Sequence, residues 1–188
     1  MKKLLSPIIM ILISVLFIAI IPTEAEGAIY EDTVRLHILA NSDNEEDQSL
    51  KLKIRDAVLL KYGKELSYFE CAEEAKNEIE KLLSEIENFV EKEIIKNGYE
   101  YDASVTISTE WYDTRVYENF TLPSGYYSSL EIIIGSGEGQ NWWCVMFPPM
   151  CLDVSTTTVN YSDEEKALIK KDYTVKFKIL ELISEFGR

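Results

Sequence analysis

A Cys–His nucleophile pair or a thiolate–imidazole metal site in this 188-residue chain would have to use its single histidine, His37, and its three cysteines, Cys71, Cys144 and Cys151. A Cys–His dyad needs His37 against one of those thiols. A histidine that alternates with apolar residues on a strand is more often packed or hydrogen-bonded than catalytic. One His and three Cys at these separations match no zinc motif, so no dedicated metal site is expected. The acidic run Asp43-Asn44-Glu45-Glu46-Asp47 fails as a calcium loop, because its sixth position is Gln48 where Gly is needed and its twelfth is Ile54 where a bidentate Glu is needed. Gly135-x-Gly-x-Gly fails as a phosphate cradle, since Gln140 stands at the sixth position and strand-like Asn141-Trp142-Trp143 follows where a helix is required. The many carboxylates allow an acid/base pair without identifying one, and no nucleophile-elbow pattern occurs. The expectation is therefore no catalytic residue, no metal and no small-molecule cofactor. Trp142-Trp143 does stand out. Adjacent strand residues point to opposite faces, so one indole is expected in the core and the other either under a helix or exposed as an aromatic anchor for a protein partner, with Tyr126-Tyr127 repeating the arrangement.

The elements that must position these residues follow from periodicity. Thr33 to Leu39 alternates as a strand and ends in Ala40-Asn41-Ser42-Asp43-Asn44, which favours helix initiation. A helix is expected from Glu45 to Lys61, with Leu50, Ile54, Ala57 and Val58 on one stripe, acids in its first turn and Gly63 as its stop. Ser67-Tyr68-Phe69-Glu70 has capping-box spacing, and Ala72, Ala75, Ile79, Leu82, Leu83, Ile86, Phe89, Val90 and Ile94 carry a helical period to Asn97-Gly98. From Tyr101 the period becomes two, with Ala103, Val105, Ile107, Thr109 and Trp111 in one row. Further strands are expected over Arg115–Leu122, Tyr127–Ile134 and Asn141–Phe147, with Gly135–Gly139 as a hairpin loop. Residues 152–160 read as a polar connection, and Ser162-Asp163-Glu164-Glu165 opens a C-terminal helix. This order gives an α+β domain with a mixed or mainly antiparallel sheet of about five strands, two helices from the N-terminal half and one C-terminal helix packed on it.

Leu4 to Ile21 is uncharged and follows Lys2 and Lys3 directly, the pattern of an export signal. The 14-residue stretch from Ile8 to Ile21, apolar but for Ser14, suits a signal-peptide core and falls short of a comfortable membrane span, although the run reaches 18 when counted from Leu4. Thr23-Glu24-Ala25-Glu26-Gly27 offers cleavage after Ala25 or after Gly27. Residues 1–25 are thus a signal peptide or, uncleaved, an N-terminal membrane anchor, and residues 26–188 a single extracytoplasmic domain. The net charge of −14 argues against nucleic acid and against adhesion to anionic lipid, leaving membrane contact to the first segment. Cys144 and Cys151 can be bridged, because Pro148-Pro149 between them turns the chain; the alternative is two thiols packed as small apolar groups.

Four stretches carry a family resemblance: Arg35-Leu-His-Ile-Leu-Ala-Asn-Ser-Asp43, Asp47-Gln48-x-Leu-Lys51, Arg55-Asp-Ala-Val58 and Gly139-x-Asn-Trp-Trp-Cys-Val-x-Phe-Pro-Pro-x-Cys151. Together they resemble stage II sporulation protein R. The resemblance implies a signal of endospore-forming bacteria, made in the forespore and secreted into the space between the forespore and mother-cell membranes. There it would activate a membrane-embedded aspartic protease, stage II sporulation protein GA, from that protease's extracytoplasmic face, so that the mother-cell sigma factor E precursor is processed. Arg35, His37, Asn41, Asp43, Trp142 and Trp143 are the motif positions offered as partner-binding candidates. One rival function is an extracytoplasmic hydrolase acting on cell-wall or peptide bonds through a carboxylate or Cys144. Another is a structural protein held at the membrane by an uncleaved first segment.

Overall fold

The computed structural model describes residues 24–117 and 120–150, together with the helical positions Pro7, Ile9, Met10, Ile11, Ile13 and Ser14. Most of the leader or anchor expected over residues 1–25 lies outside the described residues, as do Cys151, the connection over 152–160 and the C-terminal helix. Among the described residues no helix is long and apolar enough to cross a membrane. The chain divides into two compact units, one built from Tyr30–Glu110 and Tyr126–Tyr161, the other from Met1–Ile29, Trp111–Gly125 and Ser162–Arg188.

The first unit is organised around β1 (Val34–Leu39), which follows helix α1 (Glu24–Glu31). Its sequence alternates as if one face met water, yet every residue from Val34 to Ile38 is buried. The sheet order explains this. β2 (Ala103–Tyr112), β5 (Gly125–Ile134) and β6 (Asn141–Phe147) join β1 in the order β2-β5-β1-β6, so β1 has a neighbour on both sides. It runs parallel to β5, with Leu36 opposite Leu130 and His37 opposite Glu131, and antiparallel to β6, with His37 opposite Trp143. The sheet is mixed. One face carries Leu36, Ile38, Leu130, Ile132, Ile134, Cys144 and Met146 into the hydrophobic core. The other carries Arg35, His37, Ser129, Glu131 and Trp143, since side chains alternate along each strand.

Helix α2 (Glu45–Val58) starts where expected. Asn44 caps it, its side chain accepting from Asp47 N at 2.7 Å, with Glu45, Glu46 and Asp47 in the first turn. Gly63 does not stop it. Leu59–Gly63 continues as a π-helical turn and Lys64–Leu66 adds one more, because Gly63 is buried and keeps right-handed helical angles while Leu59, Tyr62 and Leu66 reach the core. The Ser67-x-x-Glu70 capping box is not used either. Ser67 Oγ turns back to Lys64 O at 2.6 Å, and α3 (Ala72–Lys96) starts from an extended Cys71. The predicted apolar stripe of α3 is the buried one, and both helices pack on β1 and on each other, giving the expected two helices on one sheet face.

In the sheet, β2 departs from the expected row. Ala103, Val105 and Ile107 turn inward, but Thr109 is exposed and Tyr112 is buried. The expected strand Arg115–Leu122 does not join the large sheet. In the smaller unit β3 (Arg115–Val116) pairs antiparallel with β4 (Thr121–Leu122), closed by Tyr117 N donating to Phe120 O at 2.8 Å and by stacking of those two rings.

The Gly135–Gly139 link is also not a hairpin, because β1 lies between β5 and β6. It has to cross the C-terminal end of β1, where the chain is already turning into α2. Gly139 N donates to Ala40 O at 2.9 Å, and a side chain at Gly139 would strike the Ser42 carbonyl and come within 2.9 Å of Ala40 Cβ. Gly135 has φ +59° and leaves the space that Asn41 Oδ1 occupies. Gly139→Ala should therefore destabilise the fold by about 1–3 kcal/mol through overpacking, whereas Gly27→Ala, with nothing near its Cβ, should be neutral or stabilising. Urea unfolding midpoints of the two variants check this; equal midpoints would show that the crossing is not tight.

Candidate functional site

The crossing at the end of β1 is held by side chains from the first two motif stretches, which bond the loop and the backbone of the fourth at Gln140, while Arg55 of the third reaches Trp142 at the rim. Asn41 Oδ1 accepts from Ser136 N at 3.0 Å, and Ser136 Oγ donates to Asn41 O at 2.7 Å. Asp43 Oδ1 accepts from Gln140 N at 2.7 Å. Beneath them Asp47 is buried, and its Oδ2 accepts from Asn41 Nδ2 at 2.9 Å, Ser42 Oγ at 2.7 Å and Asn44 Nδ2 at 3.1 Å. Burial pushes the Asp47 carboxyl up, but the hydrogen bonds from Ser42, Asn41, Tyr101 and Asn44 outweigh it and hold the group below its ordinary value. One turn on, the buried Lys51 Nζ donates to Gln48 Oε1 at 2.6 Å and to Gln140 O at 2.7 Å. Burial lowers its pKa, with the Asp43 charge opposing and the Arg55 charge assisting. Arg55, a turn further, lies 4.5 Å over the Trp142 ring, which is 37% exposed at the rim.

The six candidate residues therefore divide. Asn41 and Asp43 hold the crossing, with Asp43 exposed; Trp142 forms its outer rim; Arg35, His37 and Trp143 lie on the opposite sheet face. Arg35 is fully buried, its Nε donating to Cys144 O at 3.1 Å and its guanidinium 5.1 Å from the Tyr127 ring. Neither tryptophan fills the core, contrary to the expectation for one of them. Trp142 sits on the helix face under Arg55, and Trp143 stacks on His37 with ring centres 5.7 Å apart.

His37 is hydrogen-bonded through Nδ1 to Glu110 Oε2 at 2.8 Å and through Nε2 to Asn141 Oδ1 at 2.8 Å, with Glu131 Oε1 3.5 Å from Nδ1. Burial pulls its pKa down, yet the hydrogen bonds to Glu110 and Asn141 and the charges of Glu110 and Glu131 raise it above the ordinary value. Glu110 is pushed up by burial and brought down further by His37 and Ser108, ending below its ordinary value. A dyad of His37 with Cys144 is not formed. Cys144 lies opposite Leu36, on the helix face, and is disulfide-bonded. Cys71 is free, and Cys151, the expected partner of Cys144, lies outside the described residues.

These residues all lie within the span that the profile of a known family matches. A family profile described as stage II sporulation protein R matches residues 30–157. The chain belongs to the stage II sporulation protein R family. It is 38% identical over 142 residues to the protein named Stage II sporulation protein R from Bacillus subtilis (strain 168), an alignment covering 75% of this chain and 63% of that relative. No solved structure matches.

Sequence reasoning missed Asp47, Lys51, Glu110, Glu131 and Asn141 as site residues. Asp47 had a readable signal, the Asn44-x-x-Asp47 spacing of a reciprocal cap. Glu110 and Glu131 had none, since strand pairing alone brings them to His37.

Two outcomes follow. Because the folded Asp47 pKa is lowered, its stabilisation is present above the unfolded value of about 3.9 and is lost as pH falls from there through the folded value. Asp47→Asn should cost about 1–3 kcal/mol at pH 7, with urea midpoints converging on wild type toward pH 3; a gap independent of pH would contradict this. Denatured without reductant, the chain should offer maleimide the Cys71 thiol alone, with Cys144 reacting after reduction.

Proposed function

We propose that this protein is a non-enzymatic, exported signal of sporulation that binds the extracytoplasmic face of a membrane-embedded aspartic protease, stage II sporulation protein GA, and favours its active state, so that the mother-cell sigma factor E precursor is processed. The observation that supports this reading is the convergence of the four family motifs on one cap, which leaves Asp43, Gln140 and Trp142 exposed at its surface. Family membership points to stage II of sporulation. Such a ligand needs no catalytic centre. It has to bind the active protease more tightly than the inactive one, and the difference in affinity sets how far the equilibrium moves.

The cap suits that task. Its backbone is fixed by hydrogen bonds between distant segments, so little conformational freedom is lost when a partner is met. Trp142 supplies a large apolar contact held in place by Arg55, and Asp43 keeps one carboxylate oxygen engaged with Gln140 N while remaining exposed. Arg35 serves from inside, anchoring β6 behind the cap. Export is carried by the uncharged segment after Lys2 and Lys3, and the disulfide-bonded state of Cys144 fits an oxidising compartment.

The test is reconstitution. Purified protein lacking residues 1–25, added outside vesicles that carry the protease and its precursor substrate, should restore precursor cleavage. Trp142→Ala should reduce that cleavage at least tenfold while leaving the circular dichroism spectrum and the urea midpoint near wild type. No cleavage with folded wild-type protein, or full cleavage with Trp142→Ala, would reject the assignment of activator or of contact surface respectively.

A further inference from the structure

His37, Glu110 and Glu131 stand on three adjacent strands, β1, β2 and β5, on the sheet face away from α2 and α3. One donor atom from each, His37 Nδ1 and a carboxylate oxygen of each glutamate, lies within 4.8 Å of the others. A histidine between two acids can be a plain ion pair, and His37 Nδ1 is hydrogen-bonded to Glu110 here. Three further features distinguish this cluster. Nε2 is engaged by Asn141 Oδ1, which fixes the ring and leaves Nδ1 as the atom facing both carboxylates. The Trp143 ring, 18° from parallel with the imidazole, covers one side of it. Glu131 lies directly opposite His37 in the strand register, so its carboxylate is aimed at Nδ1 by the backbone.

We propose that His37 Nδ1, Glu110 and Glu131 bind one zinc-class divalent cation that fastens β1, β2 and β5 together. Two carboxylates match a doubly charged ion. The imidazole nitrogen favours a first-row transition ion over magnesium or calcium, which take oxygen donors. Zinc ligands at about 2.0–2.2 Å in tetrahedral array lie about 3.3 Å from one another. Nδ1 and Glu131 Oε1 are already 3.5 Å apart, so the cluster needs a small opening at Glu110. Zinc takes the place of the Nδ1 proton, and Asn141 becomes the outer partner that holds the ring, as in established histidine–zinc sites. The carboxylates keep side-chain exposures of 23% and 25%, leaving water to complete the coordination. The role inferred is structural, because the ligands bridge three adjacent strands.

The test uses the untagged full chain stripped with chelator. Isothermal titration with zinc chloride should give one ion per chain at micromolar affinity or tighter, zinc should raise the melting temperature by several degrees, and equal magnesium should leave it unchanged. Glu131→Gln, which keeps the His37–Glu110 hydrogen bond, should weaken zinc binding at least tenfold. Cys71→Ser should bind as wild type, and Trp143→Phe should bind but lose the zinc-dependent change in tryptophan fluorescence. Absence of one-to-one binding, wild-type affinity in Glu131→Gln, or loss of binding in Cys71→Ser would overturn the proposal. Should Glu131→Gln fail to fold, the zinc-specific melting shift of the wild-type chain decides by itself.

Discussion

Where the 135–139 loop passes over the end of β1, two stretches of backbone that are 95 residues apart at Asn41 and Ser136 come into hydrogen-bonding contact, and the larger unit depends on that approach. Any side chain at Gly139 would separate them. Once they meet, β6 must lie against β1 on the side away from β5, and Asp47 must be buried beneath the loop. Asp47 and Lys51 illustrate what the approach demands. Each is a charged side chain taken out of water, which is costly unless it is hydrogen-bonded, and each is used to satisfy the backbone or the amides of the crossing. The family motifs are thus readable as the parts of one joint.

How much of this was visible in the sequence depends on how local the causes are. The start of α2 at Asn44, the apolar stripe of α3 and its end at Asn97-Gly98 come from neighbours within a few residues, and these were legible. Gly98 N donates to Ile95 O and Tyr99 N to Ile94 O, the pairing that a glycine after a helix allows. The unused capping box at Ser67 and the continuation through Gly63 show local signals overruled by burial, since Tyr62 and Leu66 gain the core only if the helix goes on. The hairpin expected at Gly135–Gly139 failed for a different reason. A glycine-rich link between two apolar runs looks the same whether the strands are neighbours or separated by a third, and that third strand comes from the start of the domain.

The candidate site followed the same division. Asn41, Asp43 and Trp142 could be picked out from motif and residue type, and the structure brings them to one cap. Arg35, His37 and Trp143, chosen on the same grounds, face the other way because strand residues alternate. Their companions Glu110 and Glu131 could not be chosen at all, since an acid on a strand in an acidic chain carries no mark of what it will face. The two faces of one sheet consequently have separate duties: helix packing and the cap on one, a half-buried polar cluster on the other.

The place of β1 has a consequence for how the chain is made. β1 is the first strand of the sheet to be synthesised, yet both strands that flank it come near the end of the described chain, with Arg35 and Cys144 separated by 109 positions. Pairings this remote must close long loops before any hydrogen bond forms, and such topologies fold slowly. While the ribosome is still producing the second half, α2 and α3 can meet, but β1 has no partner on either side. The sheet is therefore complete only after synthesis of β6, and β1 waits without a partner on either side until β5 has been made.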